Sequence, residues 1–214
     1  TPKKKTSLDE GNTGFLIASD WHADEVVKSS TVLGKNEYIK DIADKRITNF
    51  FANAAYMIKK KPVDNLVIGL IGDMIGGYIH PELEQTNSMS PMRGVSFVKN
   101  LIISGLKYLH DQLPELEKIT VIGICGNHSR TTKKMQFSNG FEMNHEYFMY
   151  KDIKHALTLM GSTKFNFIIP ESEFAYIDVY GKKVLFAHGH QFRTAGGIGG
   201  IYPTMMRWYA KMNQ

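Results

Sequence analysis

The sequence contains very little cysteine, since Cys125 is the only one among 214 residues. A single thiol cannot form an internal disulfide, which excludes the class of small secreted domains that disulfides hold together. The same observation favours a reducing compartment, and we expect the protein to be cytoplasmic. Cys125 follows an apolar stretch and precedes a glycine, so a small buried hydrophobic side chain is its expected role.

Long hydrophobic runs are also lacking, because no apolar stretch approaches the roughly 20 residues that a membrane-spanning helix needs. The opening stretch, TPKKKTSLDEGNTG, is polar and has neither of the two regions of a secretory signal. We therefore expect no membrane partner, a flexible basic tail over residues 1–13 and one domain over residues 14–214. The first residue is not Met, so we expect the N-terminus to be cut, processed or left out.

Acidic residues are in the minority, with 21 Asp and Glu against 26 Lys and Arg. The resulting net charge of +5 and isoelectric point near 9.1 fit a polyanionic partner such as nucleic acid. Much of this excess lies in lysine clusters at residues 3–5 and 59–61, which can simply be solvated. Solvation explains the positive charge almost as well as a polyanionic partner does. The charge alone therefore favours nucleic acid only slightly.

Strand-like and helix-like segments alternate along the first two thirds of the chain. Continuous apolar runs predict strands that are buried on both faces, at residues 14–20, 65–73 and 119–127. Helical periodicity predicts helices at residues 38–61 and 95–113, and a further helix within residues 140–160 that Gly161 ends. This alternation indicates an α/β layered fold.

The remaining segments are predicted from their turn residues and patterning. Residues 74–91 are expected to be a long loop, and residues 164–189 to contain three strands. The glycine-rich segment TAGGIGGIYP does not lie between a first strand and a helix, so we expect a hinge there and not a dinucleotide-binding loop. Residues 203–213 are expected to form a last helix.

Polar side chains that can bind metals follow four of the predicted strands. SDWH supplies Asp20 and His22, GD supplies Asp73, GNH supplies Asn127 and His128, and HGH supplies His188 and His190. Ligands of open α/β sheets bind at the carboxyl ends of the strands, so these side chains are expected to meet at one edge. Carboxylate, imidazole and amide donors without a second cysteine suit divalent metals such as Mn, Fe, Ni or Zn.

The spacing of these residues is compatible with two ions. Asp20 and His22 are two residues apart, and an extended backbone would point both toward one ion. Asp73 has two carboxylate oxygens and can bridge a pair of ions. Two ions about 3.5–4 Å apart can clamp a phosphoryl group and activate a water molecule. His128 follows a ligand directly and is left to handle a proton.

The motifs DWH, GD, GNH and HGH, in this order and each after a strand, resemble those of the calcineurin-like metallophosphoesterases. The resemblance extends over nearly the whole chain from residue 14. It implies the layered β-sandwich of that family, flanked by helices, with the active site at the carboxyl ends of the strands.

The resemblance also implies a dinuclear metal centre, with Mn²⁺ expected and Fe, Ni, Zn or Mg as alternatives. Its ligands would be divided between the ions, with Asp20 and His22 on the first, Asn127 and His188 on the second, and Asp73 bridging. His128 would steady the transition state or protonate the leaving oxygen.

Two departures from the family pattern are visible. No GHxH motif follows His190 before Gln214, so we expect the domain to be incomplete at its C-terminus. The alternative is that His188 and His190 are themselves that last motif, and that the preceding motif is missing. The segments GNHSR and GDMIGG also lack the acidic residue and the GDxxDRG pattern of protein phosphatases, which argues against that activity.

Three further residues are candidates for the surroundings of the site. Arg130 can contact a substrate phosphate. His190 can orient a ligand or bind metal itself. His80 lies in the predicted long loop and can line the cleft, although a surface position is the more ordinary role for a histidine without a motif.

The sequence therefore predicts a metal-dependent phosphoesterase, and first a phosphodiesterase or nuclease that hydrolyses a nucleotide or nucleic-acid diester. A phosphomonoesterase or nucleoside-polyphosphate hydrolase is the nearest alternative. A non-catalytic scaffold of the same fold, which only binds partners, is the alternative from another class.

Overall fold

The computed structural model describes residues 11–136, 138–192, 200 and 202–212. Of the predicted basic tail, residues 1–10 lie outside these ranges, and Thr13 already belongs to the first strand. Most of the predicted glycine-rich hinge, residues 194–199 and 201, lies outside them as well.

Six strands and five α-helices occur in the described part of the chain. The strands are β1 (Thr13–Ala18), β2 (Asn65–Leu70), β3 (Lys118–Gly123), β4 (Phe165–Ile168), β5 (Phe174–Val179) and β6 (Lys182–Ala187). The helices are α1 (Lys40–Ile58), α2 (Pro81–Thr86), α3 (Pro91–Gln112), α4 (His145–Leu159) and α5 (Tyr202–Met212), with a 3-10 turn at Ser29–Val32. The predicted α/β class is confirmed.

One predicted segment is wrong. Residues 74–91 are not one long loop, because α2 forms within them, with Pro81 in its first turn, where a missing backbone N–H costs nothing. The helix predicted within residues 140–160 is confirmed as α4, which begins at His145 because Asn144 caps it. The Asn144 side chain accepts a hydrogen bond from the Glu146 N–H at 2.9 Å, which fixes the start of the helix.

The first four strands form one parallel sheet in the order β1-β2-β3-β4. Ala18 pairs with Leu70, and Leu70 pairs with Gly123, so β1, β2 and β3 end level with one another. Parallel strands need crossover connections, which α1, α3 and α4 provide. The loops that leave β1, β2 and β3 therefore emerge side by side at one edge of the sheet.

The sheet is covered by helices on one face and by a β-hairpin on the other. The helices α1, α3 and α4 pack side by side, and their apolar faces enclose the larger core. The antiparallel hairpin β5–β6 buries every second residue of β5, namely Ala175, Ile177 and Val179, against the sheet. None of the helices in the described ranges has both the length and the hydrophobicity needed to cross a bilayer.

The prediction that each apolar strand is buried on both faces holds for β2 and is wrong for β1. All six residues of β2 are buried, whereas Phe15 and Ile17 in β1 are 46% and 45% exposed. β1 is an edge strand, and the two-stranded hairpin is too narrow to cover it. Phe15 stacks only at the margin of the hairpin, with its ring centroid 6.4 Å from that of Phe186.

Gly105 allows α3 to approach α1, because a Cβ at this position would lie 2.1 Å from Cδ2 of Phe51, a ring that is 1% exposed. We expect Gly105→Ala to lower the free energy of unfolding by about 1–3 kcal/mol through overpacking. Chemical denaturation measures this change. Ser104→Ala, at the exposed neighbouring position of α3, is the control and should stay within about 0.5 kcal/mol of wild type. Equal losses in both variants would contradict the close approach.

Candidate metal centre

The loops after β1 and β2 hold three predicted ligands in left-handed backbone, with φ of 53° at Asp20, 43° at His22 and 52° at Asp73. Such values are uncommon for residues other than glycine and persist only where the surroundings enforce them. Here the Asp20 N–H donates to the Gly72 carbonyl and the His22 N–H to the Asp73 carbonyl, each at 3.0 Å. The predicted extended backbone at residues 20–22 is therefore wrong, because β1 ends at Ala18. The hydrogen bonds between the two loops, and not a strand, fix the directions of the Asp20 and His22 side chains.

Asp73 lies at the centre of the site, with its side chain 3% exposed. Its Oδ2 atom is 3.0 Å from Nε2 of His188, and its Oδ1 atom accepts a hydrogen bond from the backbone N–H of His128 at 2.8 Å. Asp20, His22 and Asp73 offer ligand atoms that all lie within 4.8 Å of one another. Three of the other four predicted ligands, Asp20, His22 and His188, thus meet around the buried carboxylate of Asp73.

His188 presents Nε2 to the centre because its Nδ1 lies 2.7 Å from the Ile71 carbonyl. A carbonyl only accepts, so Nδ1 carries a proton, as it commonly does in metal-binding histidines. Burial alone would lower the pKa of His188, but the hydrogen bond and charge of Asp73, together with the Ile71 carbonyl, raise it to about 9. The same ion pair lowers the pKa of Asp73, although burial by itself would raise it.

The GNH segment after β3 passes directly beside Asp73. A Cβ at Gly126 would lie 2.0 Å from the Asp73 Oδ1 atom, so only glycine allows this approach. The next residue, Asn127, is half-buried and lines a cavity that also reaches His190. The predicted amide ligand therefore lies at the same edge of the sheet as the other four.

His128 is held by the loop that follows Asp73. Its Nδ1 atom is 3.1 Å from the Gly76 carbonyl, which assigns the Nδ1 proton and leaves Nε2 as an acceptor in the neutral ring. The His128 ring centroid is 4.7 Å from that of His22 and 5.8 Å from that of His80. The structure thus brings the predicted proton-handling residue to the predicted ligands and places His80 at the cleft.

Arg130 organises the loop in which it lies. Its guanidinium donates to three main-chain carbonyls, those of Asn127 at 2.6 Å, Thr132 at 2.9 Å and Lys133 at 3.2 Å. A guanidinium has five N–H donors, so these bonds leave two for another acceptor. A role in substrate binding stays a prediction, whereas the structural role is visible.

His190 lies beside His188, with the ring centroids 5.3 Å apart. Its Nε2 atom is 3.1 Å from Oε1 of Glu173, and because a carboxylate only accepts, Nε2 carries the proton. Nδ1 of His190 is buried and has no hydrogen-bond partner in the part of the chain that the structure describes. That lone pair keeps both predicted roles of His190 open, as a ligand or as an orienting group.

Glu25 is a site residue that the sequence analysis missed. Its Oε1 atom is 3.1 Å from Nδ1 of His22, although the two groups are not aligned as a straight hydrogen bond. Glu25, His22 and His128 form a second group whose ligand atoms lie within 4.8 Å of one another. Contact with His22 lowers the pKa of Glu25. Burial lowers the pKa of His22, but Glu25 and the nearby aspartates raise it above its usual value.

Asp24 is buried and supports the loop that holds His128. Its carboxylate accepts hydrogen bonds from the backbone N–H groups of Gly76 and Gly77. Burial raises the pKa of Asp24 against the opposing effect of these bonds. The stretch DWHADE therefore carries a supporting carboxylate and a second candidate ligand, and its acidic run after His22 was the signal available in the sequence.

Glu146 lies beneath the site, is fully buried, and was also missed. Its carboxylate accepts hydrogen bonds from the backbone N–H of Met74 at 2.6 Å and of Gly126 at 2.8 Å. The Asn144 side chain donates to the Gly126 carbonyl at 2.9 Å. The first turn of α4 and its capping residue thereby fix the positions of the loops after β2 and β3 relative to each other. Burial raises the pKa of Glu146 to about 7, even though both backbone bonds oppose this shift.

The donor set fits divalent metals. Imidazoles are borderline ligands and carboxylates supply hard oxygen atoms, a combination that suits Mn, Fe, Ni or Zn. The imidazole of His188 is oriented by a carbonyl group, as metal-binding histidines commonly are. The residues can hold one ion between Asp20, His22 and Asp73, and another on Asp73 and His188. A cation would also compensate the buried charge of Asp73.

Binding of Mn²⁺ should displace a proton from His188, because the pKa of that imidazole is about 9 before an ion binds. We expect the apparent association constant to rise at least about tenfold per pH unit between about pH 6.5 and pH 8. Titration calorimetry in buffers of different ionisation enthalpy measures both the affinity and the proton release. His188→Ala should weaken binding and flatten the pH dependence, whereas the exposed His155→Ala should do neither. A wild-type affinity independent of pH would contradict the ligand role of His188.

Glu146→Gln should destabilise the fold, because one amide oxygen cannot accept from both Met74 and Gly126. We expect a loss of about 1–3 kcal/mol near pH 5. The pKa of Glu146 is raised from 4.5 to about 7, so folded wild type binds more protons between those values and loses stability as pH rises. The difference in the free energy of unfolding between wild type and variant, measured by denaturation, should therefore become smaller from pH 5 to pH 8. A difference that is constant with pH would show that Glu146 does not titrate in this way.

In the comparison with known proteins, no protein-family model, no curated protein and no solved structure matches the chain.

Proposed function

We propose that the protein is a metal-dependent phosphoesterase that hydrolyses a phosphodiester of a nucleotide or nucleic acid. The observation that carries this proposal is the convergence of Asp20, His22 and His188 on the buried carboxylate of Asp73. The order of the motifs supports membership of the calcineurin-like metallophosphoesterases. The helices on one face of the sheet and the strand pair on the other are compatible with the β-sandwich of that family.

Two divalent ions, when bound, would supply positive charge to the phosphoryl oxygens and would lower the pKa of a water molecule. The chain supplies the geometry. Asp73 has one oxygen on the His188 side and the other on the His128 side, which suits a bridging ligand. The carbonyl of Ile71 fixes the tautomer of His188, so that Nε2 is the atom available for coordination.

His128 is the residue to which we assign the proton transfer. Its Nδ1 is held by the Gly76 carbonyl, which leaves Nε2 to carry and deliver the exchangeable proton. In its protonated form the ring can donate to the oxygen that leaves phosphorus, and in its neutral form it can accept that proton back. A protein that only binds partners would have no need of an imidazole held in this way, which argues against the scaffold alternative.

The purified protein with Mn²⁺ should hydrolyse bis(p-nitrophenyl) phosphate with a higher kcat/KM than p-nitrophenyl phosphate. We expect His128→Ala to lower kcat by about 10²- to 10⁴-fold while the variant still binds Mn²⁺, because general acid–base catalysis contributes a factor of this size. Asp73→Asn should lose both Mn²⁺ binding and activity. His155→Ala is the matched histidine control and should keep the wild-type rate.

The alternatives give different results in the same assay. Faster hydrolysis of the monoester than of the diester would replace the phosphodiesterase assignment with a phosphomonoesterase. Mn²⁺ binding without turnover of either ester would leave the binding scaffold. Wild-type protein that neither binds Mn²⁺ nor turns over the diester would overturn the proposal.

A further inference from the structure

A second cavity opens beside the metal centre, between the loop after β1 and the N-terminal half of α1. Its volume is about 420 Å³, and Asp20 and His22 line one end of it. Small-molecule sites commonly measure about 300–1,000 Å³. The cavity is therefore large enough for a nucleoside adjoining a phosphate at Asp20 and His22.

Aromatic side chains form the wall of this cavity. Trp21, Tyr38 and Phe50 line it, and each is partly exposed. The rings are held in place: Trp21 packs edge-on against Phe50 with centroids 5.8 Å apart, and the Tyr38 hydroxyl donates to the Trp21 carbonyl at 2.6 Å. Tyr38 is also held by a two-residue β-bridge with Val27. A preformed aromatic surface of this kind binds planar rings, because every nucleic-acid base has a face that can stack on it.

Arg46 adds a positive charge to the same cavity. It is exposed on α1, and its guanidinium carbon lies 5.3 Å from the centroid of the Tyr38 ring. Within the described ranges, no carboxylate forms an ion pair with Arg46. A guanidinium that stacks on an aromatic ring keeps its N–H edge available, and that edge matches the geometry of a phosphate group.

We propose that this cavity is a nucleotide subsite for single-stranded nucleic acid. One base stacks on the aromatic wall, and Arg46 binds the phosphate next to the one at the metal centre. The inference rests on the proposed phosphodiesterase function and specifies its substrate. A single strand is required because the bases of a duplex already stack on one another and offer no free face to Tyr38.

The test is the salt dependence of oligonucleotide binding. A labelled oligothymidylate is titrated with the full chain in Mn²⁺ over a range of salt concentrations, and fluorescence anisotropy gives Kd. Every protein carries His128→Ala, so that turnover does not interfere. Removing one phosphate contact should lower the slope of log Kd against log salt by about 0.7. We therefore expect Arg46→Ala to bind about tenfold more weakly and to show this smaller slope.

Control variants separate the specific contact from net charge and from folding. Lys107→Ala removes one exposed charge near the C-terminal end of α3, at the opposite edge of the sheet, and should keep the wild-type slope. Tyr38→Ala should weaken binding at every salt concentration without changing the slope. Tyr38→Phe keeps the aromatic ring and loses the hydrogen bond to the Trp21 carbonyl. Its Kd for the oligonucleotide should stay within about twofold of the Kd of the protein that keeps Tyr38.

Any of three results would overturn the proposed subsite. The first is an equal salt slope for Arg46→Ala and Lys107→Ala, and the second is binding by Tyr38→Ala as tight as that of the parent protein. The third is a duplex that binds as tightly as the single strand. Hydrolysis of bis(p-nitrophenyl) phosphate by the wild-type protein tests the proposed function separately. Turnover of that small diester without an Arg46-dependent slope would retain the phosphoesterase and remove the subsite. Arg46-dependent binding by a protein that hydrolyses no phosphoester would retain the subsite and remove the phosphoesterase.

Discussion

The buried carboxylate of Asp73 imposes the constraint on which the rest of the site depends. A charge that is 3% exposed must be compensated, and the structure compensates it with the imidazole of His188 and the backbone N–H of His128. Such a buried pair is weak evidence for stability, since desolvation offsets most of the attraction. It is better evidence for a functional site, where buried charges and shifted pKa values concentrate.

The layers of the fold explain how residues distant in sequence reach this carboxylate. β1, β2 and β3 end level, so their loops arrive together at one edge of the sheet. His188 comes from a different layer, because β6 belongs to the hairpin and not to the parallel sheet. The hairpin nevertheless delivers His188 to the Ile71 carbonyl just past the end of β2. The hydrophobic contact between hairpin and sheet therefore also determines the geometry of the metal centre.

Much of the scaffold could be predicted from the sequence, because β2 is an unbroken apolar run and the ligand motifs stand directly after strands. The exposure of Phe15 could not be predicted from the sequence, because it depends on the width of a hairpin some 160 residues later in the chain. Glu146 was missed because a glutamate in the first turn of a helix ordinarily faces water, and only tertiary packing reveals its backbone partners. The identity of the metal and the reaction stay predictions.

The left-handed backbone at Asp20, His22 and Asp73 has a consequence for how this chain can change over time. Glycine is the residue that such backbone favours on conformational grounds alone. Substitutions selected for thermal stability would therefore tend to erase donor atoms at these three positions. Selection for a robust fold and selection for the donor set therefore oppose each other at these three positions.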